Sequence, residues 1–599
     1  TFRRKEAAFL VIEPNSDEGE GYVEIIPERR EVIVHNPVHR IYQGVGQSAG
    51  FSGFYVLQFE KDFKSYGTWK SNTVRGQEKL AKGNGKRDNV GAYIELDIDD
   101  NPVVKVRIGS SFTDVAGARR NLMAELPHWD FERVKKAAEQ AWNQELGKVQ
   151  IKGTENDKTL FYTALYHTKH TPRLFSDVDG CYPGFADEHQ IYTANGFDYY
   201  CDFSLWDTFR AAMPLHALLE PKRSSHLMQS LVKKAEQGGW MPIFPCWNHY
   251  TAAMIGDHVT SAMADAYAKG IRGFDVEIGY NYLRKNAFVP NADPKSYESG
   301  KGRRALDSYL KYNYIPLEDS VWQAFHKREQ TSRTLEYAYD DFCLSTLAKA
   351  LGKKTDYETL RQRALNYRNV IDPVTGWARG RYANGRWSNN FDPFAARASF
   401  ITEGSPAQYT WFVPHDVGGL MQQIGGKERF ITKLDTMFEQ GKYWHGNEPG
   451  NHTAYLYAFA GVPWKTQRWV RQLSREEYTT DAGGLSGNED GGQMSAWLVF
   501  SMMGFYPACP GKPYYVLGSP IFEEMSLNVG NGKKFKVKAV NNLAANCYIQ
   551  SATLDGKPYG RAYLTHKQVL RGGTLLLKMG PKPNKEWGKD AAELSSDFQ

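Results

Sequence analysis

DFERVKKAAEQAWNQELGKV, residues Asp130 to Val149, is where this 599-residue chain changes its period. Phe131, Val134, Ala138, Trp142 and Leu146 recur every three or four positions, and acids and bases fill the places between them. That pattern puts one apolar stripe along a helix. Upstream the period is two. In VVKVRIG, Val104, Val106 and Ile108 alternate with Lys105 and Arg107, and YVEIIPERREVIVHN and FSGFYVLQFEKDF repeat the half-buried pattern between Gly- and Asn-rich turns. The expectation is an all-β sandwich at 1–128, left through a linker helix at 129–150.

Downstream the period stays near 3.6. DKTLFYTALYHTKH, SLWDTFRAAMPLHALL and RTLEYAYDDFCLSTLAKALG are helical patterns, each closed by glycine or proline punctuation. Short helices joined by loops of unequal length suit a toroid of paired helices over 151–512, with loops at one end building a site. The stretch 286–331, rich in Tyr, Pro and Gly, reads as a functional loop. After Pro510 alternation returns in FKVKAV, YIQSATLDG and TLLLKMG, which predicts a small β-rich domain at 513–599.

Composition narrows the function. A net charge of +6 with no Lys/Arg block argues against a nucleic-acid partner. No apolar run reaches membrane-spanning length, so no membrane span is expected. The six cysteines form no CxxC pair, which argues against a zinc site and a disulfide scaffold. The chain opens on Thr1 with no signal-peptide pattern, as a processed or partial product would.

Four clusters at loop-to-helix junctions carry chemistry. In LWDTFR, Trp206, Asp207 and Arg210 read equally as a helical ion pair beside an aromatic or as a platform gripping sugar hydroxyls. Asp257 and His258 end MPIFPCWNHYTAAMIGDH, an irregular segment pinned by prolines. In FITEGSPAQYTWFVPHD, Ser405 before Pro406 is a helix start. Glu403 lies just outside it, between Phe400 and Trp411 in sequence, where lost hydration would raise its pKa as a general acid requires. In WHGNEPGNHTAYLY, Asn447 and Glu448 offer hard oxygen ligands suited to Ca²⁺, and His445 and His452 read either as ligand contacts or as core residues.

A fifth stretch, GGLSGNEDGGQMSAWLVF from Gly483 to Phe500, sets Asn488, Glu489 and Asp490 before an apolar helix. The helix dipole would keep an acid there ionised, as a general base needs, although acids favour such positions as simple caps too. Glu403 pushed up and Asp490 held down would form the acid/base pair of glycoside hydrolysis.

The strings GGWMPIFP, EGSPAQYTWFVPHD, HGNEPGNHTAYLY, PWKTQRWV and GNEDGGQMSAWLVFSMMGFYP closely resemble glycoside hydrolase family 92, calcium-dependent inverting exo-α-mannosidases. The likeness extends to NPVHRIYQGVGQSAGFSG and GGTLLLKMGPKPNKEWG. It implies a multidomain α+β fold: an N-terminal β-sandwich, a linker helix, an (α/α)6 barrel and a small C-terminal β domain. It also implies Glu403 as general acid, Asp490 as general base, Asn447 and Glu448 near a Ca²⁺ ion, and Trp206, Asp207, Arg210 and Asp257 at the sugar. Some members carry an acid where this chain has Asn488. The implied substrate is terminal α-linked mannose of N-glycans or mannan, met in the periplasm or outside the cell. Another (α/α)6 inverting hydrolase or phosphorylase, and a non-catalytic glycan-binding protein, are the competing readings.

Overall fold

The computed structural model describes residues 7–14, 18–42, 44–98, 102–591 and 594. Its N-terminal part is two antiparallel sheets. One has the order Ala8–Ile12, Val90–Leu96, Phe63–Lys70, Thr73–Gly76; the other runs Leu80–Lys82, Tyr22–Ile26, Glu31–His39, Ser48–Phe59, Val106–Ser111. Val23, Ile25, Val32 and Val34 from the second sheet meet Ala92, Ile94 and Leu96 from the first in one apolar core. The period-two reading therefore holds in the central strands.

It inverts in the last strand. Val106 and Ile108 are exposed, and Arg107 turns inward to donate to the Leu126 carbonyl at 2.6 Å and to Gln58 Oε1. The covered face of this edge strand belongs to the helix Val115–Glu125, which comes so close that a Cβ on Gly109 would lie 2.3 Å from the Ala118 carbonyl oxygen. Backbone proximity, not side-chain hydrophobicity, fixes which face is inside.

The linker helix is Phe131–Leu146, started by the Asp130 carboxylate, which accepts from the Arg133 amide. None of its residues is buried. A helix spanning two bodies has few neighbours, so its apolar stripe stays largely in solvent.

Beyond it lies a helical body. The helix Gln330–Ala350 is buried along nearly its whole length and packs on Val259–Ala268, Val276–Phe288 and Lys354–Arg363. The helix Gln493–Met503 is buried throughout and packs on Glu155–His167, Ala212–Leu219 and Pro463–Glu476. Within it the buried Asp341 accepts from Arg303 at 2.7 Å and from Arg363 at 2.8 Å. No described helix is long and apolar enough to cross a membrane.

The C-terminal strands are joined to the body. Val149–Lys152, leaving the linker, pairs antiparallel with Glu524–Asn528 at the edge of a six-stranded sheet. Leu527, Phe535, Leu575 and Leu577 of that sheet continue the hydrophobic core of the helices.

Candidate active site

The two acids ahead of the helix Gln493–Met503 have separate jobs. Glu489 caps it: Oε1 accepts from the Ser495 amide at 2.9 Å, Oε2 accepts from the Ser495 hydroxyl at 2.7 Å, and His167 Nδ1 lies 3.1 Å from Oε2. That satisfies one of the free amides of the first turn. Asp490 is thereby free to turn the other way, with φ at +45°. Gly491 and Gly492 follow at positive φ, and a Cβ on Gly492 would sit 2.8 Å from the Thr168 Cα, so only glycine fits this close passage. Gln493 next ties the loop together, accepting from the Ala211 and Ala212 amides and donating to Asn451 Oδ1.

Asp490 meets two other acids. Among the described residues, carboxylate oxygens of Asp207, Glu448 and Asp490 lie within 4.8 Å of one another. Burial first, then the Asp490 charge, pushes the Asp207 carboxyl well above its ordinary range, against a hydrogen bond from Ser204 and the Arg210 charge. Glu448 is pushed well up by burial, then by Asp207 and Asp490. Asp490 is raised by burial, opposed by a hydrogen bond with Glu448. This corrects the expectation of a carboxyl held down by a helix dipole: Asp490 lies ahead of the first helical residue, and its burial outweighs the hydrogen bond that lowers it. Asp207 Oδ1 and Glu448 Oε1 are buried with no hydrogen-bond partner among the described residues. Three hard anionic donors, two with orphaned oxygens, can bind a metal ion.

Glu403 stands beside this cluster, and it too has a left-handed backbone, φ +46°. Ser405 caps the short helix Pro406–Tyr409, as its sequence predicts. The Glu403 side chain is 43 % exposed, so it is less enclosed than Phe400 and Trp411 suggested. Partial burial still raises its pKa, with the charges of Glu329 and Asp490 adding and His326 opposing. His326 Nε2 lies 3.8 Å from Glu403 Oε1, while its Nδ1 faces Glu329 at 3.2 Å. Glu329 in turn accepts from the Thr402 hydroxyl at 2.6 Å, which anchors the loop carrying Glu403.

The other candidates separate. Asn447 is near: its amide NH₂ donates to the Glu403 carbonyl at 2.7 Å and so ties it to the loop of Glu403, and Asp207 joins Glu448 as a further anionic donor. Arg210 lies behind the acids, stacked over Phe209 and Phe412, with Nη1 and Nη2 lacking hydrogen-bond partners among the described residues. Trp206 is not an open platform: it is buried and donates to Glu336 at 3.0 Å. Asp257 is fully buried against Arg303 at 2.9 Å, a structural ion pair. His445 is buried between the Tyr443 and Tyr478 hydroxyls, which engage both ring nitrogens, and burial pushes it down to about 3.

Three participants have no local sequence signal. Tyr42 reaches over from the N-terminal sheets and packs edge-on against Trp247 and Phe325, at 5.3 and 5.2 Å. Its phenol is raised by burial, then by Cys246, Asp490, Asp207 and Glu403. Glu336 gathers Trp206 and Tyr409 from inside a buried helix, and because Ser332, Arg333 and Asp340 share its face no apolar stripe sets it apart. His326 sits in the long loop already singled out by its length.

Residues 117–581 match the model of the glycosyl hydrolase family 92 catalytic domain, and residues 1–111 that of the family's N-terminal domain. A family GH92 inverting mannosidase from Bacteroides thetaiotaomicron has a similar structure at TM-score 0.90 and 32 % identity, over 99 % of this chain and 81 % of that one. A family GH92 α-mannosidase from the same organism, in complex with mannoimidazole, gives TM-score 0.88 and 32 % identity over 99 % and 80 %. An uncharacterized secreted glycosidase of Arthroderma benhamiae is 29 % identical over 90 % of this chain and 69 % of its own length.

Proposed function

The chain belongs to glycosyl hydrolase family 92, and from that premise we propose that it is an inverting, exo-acting α-mannosidase. Its substrate is terminal α-linked mannose of N-glycans or mannan, met outside the cell or in the periplasm. The secreted relative supports that location. The observation that carries the reading is the set of four carboxyls: Asp207, Glu448 and Asp490 clustered, with the half-exposed Glu403 close enough to sense Asp490.

Glu403 is the proton donor. Its raised pKa favours the protonated form, and a bound sugar would remove the water that still reaches it. Asp490 is the base, taking a proton from the water that attacks the anomeric carbon from the opposite face. Inversion requires that the two carboxyls stand apart with room for that water, ~6.5–9.5 Å. Asp207 and Glu448 are the residues that would hold Ca²⁺, their orphaned oxygens being the donors. When bound, the ion would neutralise the crowded acids and polarise sugar hydroxyls. The Arg210 charge lowers the Asp207 and Glu448 pKa values and so favours the ionised forms that a cation needs.

Hydrolysis of an α-mannobiose followed by proton NMR tests the reading: β-mannose is expected first, turning slowly into the α anomer. The α anomer appearing first would exclude inversion, and no mannose release would exclude the activity.

A second expectation concerns Glu489. Glu489→Ala removes the cap and should cost about 1 kcal/mol of stability. It should also lower kcat with little change in KM, because Asp490 loses its fixed direction; misplacement by ~1 Å can cost about a hundredfold. A variant with normal kcat would show that the base does not depend on this cap.

A further inference from the structure

Resting on the mannosidase reading, we propose that Phe325 and Trp322 form a stacking platform for the leaving part of a manno-oligosaccharide, so that the enzyme selects substrates with at least two sugars beyond the scissile bond.

The segment Ser320 to Glu329 is held in a strained shape. Val321, Gln323, Arg328 and Glu329 all have positive φ, between +52° and +67°, and for a β-branched valine that is a genuine outlier. Such strain persists only where the surroundings enforce it, and it gathers at ligand-handling sites. Here Val321 and Ala324 are locked into a small core with Leu306, Tyr309, Ile315 and Tyr337. The Val321 amide donates to Asp319 Oδ1 at 2.8 Å, and the Arg328 amide to the Ser320 carbonyl at 3.1 Å. The result is to turn the two aromatics outward: Trp322 is 55 % exposed and Phe325 48 %. Neither is loose. Trp322 lies flat on Tyr297, with ring centroids 5.7 Å apart and planes 6° from parallel, and Arg304 covers the far side of the Tyr297 ring at 4.0 Å. Phe325 is wedged edge-on between Tyr42 and the His326 ring, at 5.2 and 5.0 Å. Exposed aromatic faces backed this firmly mark a binding surface rather than incidental exposure.

Position identifies the occupant. The glycosidic oxygen that Glu403 protonates stays with the leaving sugar, so that sugar must lie against the neighbours of Glu403. The nearest of these is His326, 3.8 Å from the carboxyl, and Phe325 is the next residue in the chain. The ring being cleaved lies on the other side, over Asp207, Glu448 and Asp490. Three residues span at most about 10 Å of backbone, so Trp322 is carried by the same short segment as Phe325. A pyranose presents an apolar C–H face that packs on an aromatic ring, and its hydroxyl rim stays wet. Two exposed rings on one short segment beside Glu403 supply one aromatic face for each of two successive leaving sugars.

The test compares kcat/KM for an α-linked mannotetraose with that for α-mannosyl fluoride, whose leaving group touches no sugar platform. In Trp322→Ala and in Phe325→Ala the tetraose-to-fluoride ratio should fall about fivefold each, chiefly through KM for the tetraose. Trp322→Phe and Phe325→Tyr, which keep a flat face, should restore most of the ratio. An unchanged ratio in both alanine variants of an active enzyme would overturn the platform alone, and so would flat-faced variants that lose as much as alanine. A wild-type protein inactive on both substrates would overturn the mannosidase reading and the platform with it.

Discussion

Glu403→Gln is expected to lower kcat/KM for an α-mannobiose by about 10²–10⁴-fold and that for α-mannosyl fluoride by far less, whereas Asp490→Asn should lower both by about 10²–10⁴-fold. The contrast follows from where each proton moves. A sugar alkoxide leaves only if its oxygen is protonated as the bond breaks; fluoride leaves without that help. Water must be deprotonated whichever group departs. The pH profile gives a second, independent sign. Glu403 must be protonated to act, and its pKa lies above the ordinary glutamate value through partial burial and the nearby Glu329 and Asp490 charges. Activity is thus present below that raised pKa and lost as pH rises through it. In Glu403→Gln that alkaline limb should disappear, leaving only the acid limb on which Asp490 takes up its proton. Equal losses on both substrates in Glu403→Gln, with the alkaline limb intact, would remove its role as the acid.

How much of the fold and of the candidate site is legible in the sequence comes down to range. The change from period two to 3.6 at Asp130 is a local property, and so is the Ser405–Pro406 helix start; both are read from a few adjacent residues. The same short range misleads where tertiary contact decides. Val106 and Ile108 alternate correctly yet face solvent, because a helix backbone packs on the Gly109 side. Trp206 and Asp207 are neighbours in sequence, but the helix turns one to Glu336 and the other to Glu448. Asp257 and His445 have the composition of site residues and are consumed by the distant Arg303 and, for His445, by the distant Tyr478 together with its sequence neighbour Tyr443. Tyr42 is the extreme case: nothing in its surroundings in sequence says that it closes over acids more than a hundred residues away.

Calcium is expected to raise the thermal midpoint near neutral pH, and Glu448→Gln to abolish that response together with most of the turnover. The folded chain crowds Asp207, Glu448 and Asp490 within 4.8 Å; burial raises all three pKa values, and repulsion from the neighbouring acids adds to the rise at Asp207 and Glu448. A carboxyl raised on folding favours the folded state below its unfolded value, near 4, and that contribution is lost as pH rises through the raised value. Near neutral pH the metal-free cluster therefore costs stability, and a divalent cation that binds only the folded state offsets it. At a hundred times its dissociation constant such an ion contributes about 2.7 kcal/mol. The gain should shrink as pH falls toward 4, because protonated carboxyls no longer hold the ion. Glu448→Gln removes one anionic donor and lowers the repulsion, so the variant without calcium should melt no lower than the wild type without calcium. Scanning calorimetry of both proteins in chelator and in calcium, near neutral pH and near pH 4, separates the cases. A midpoint that ignores calcium in the wild type, or rises equally in Glu448→Gln, would show that these acids are not the metal site.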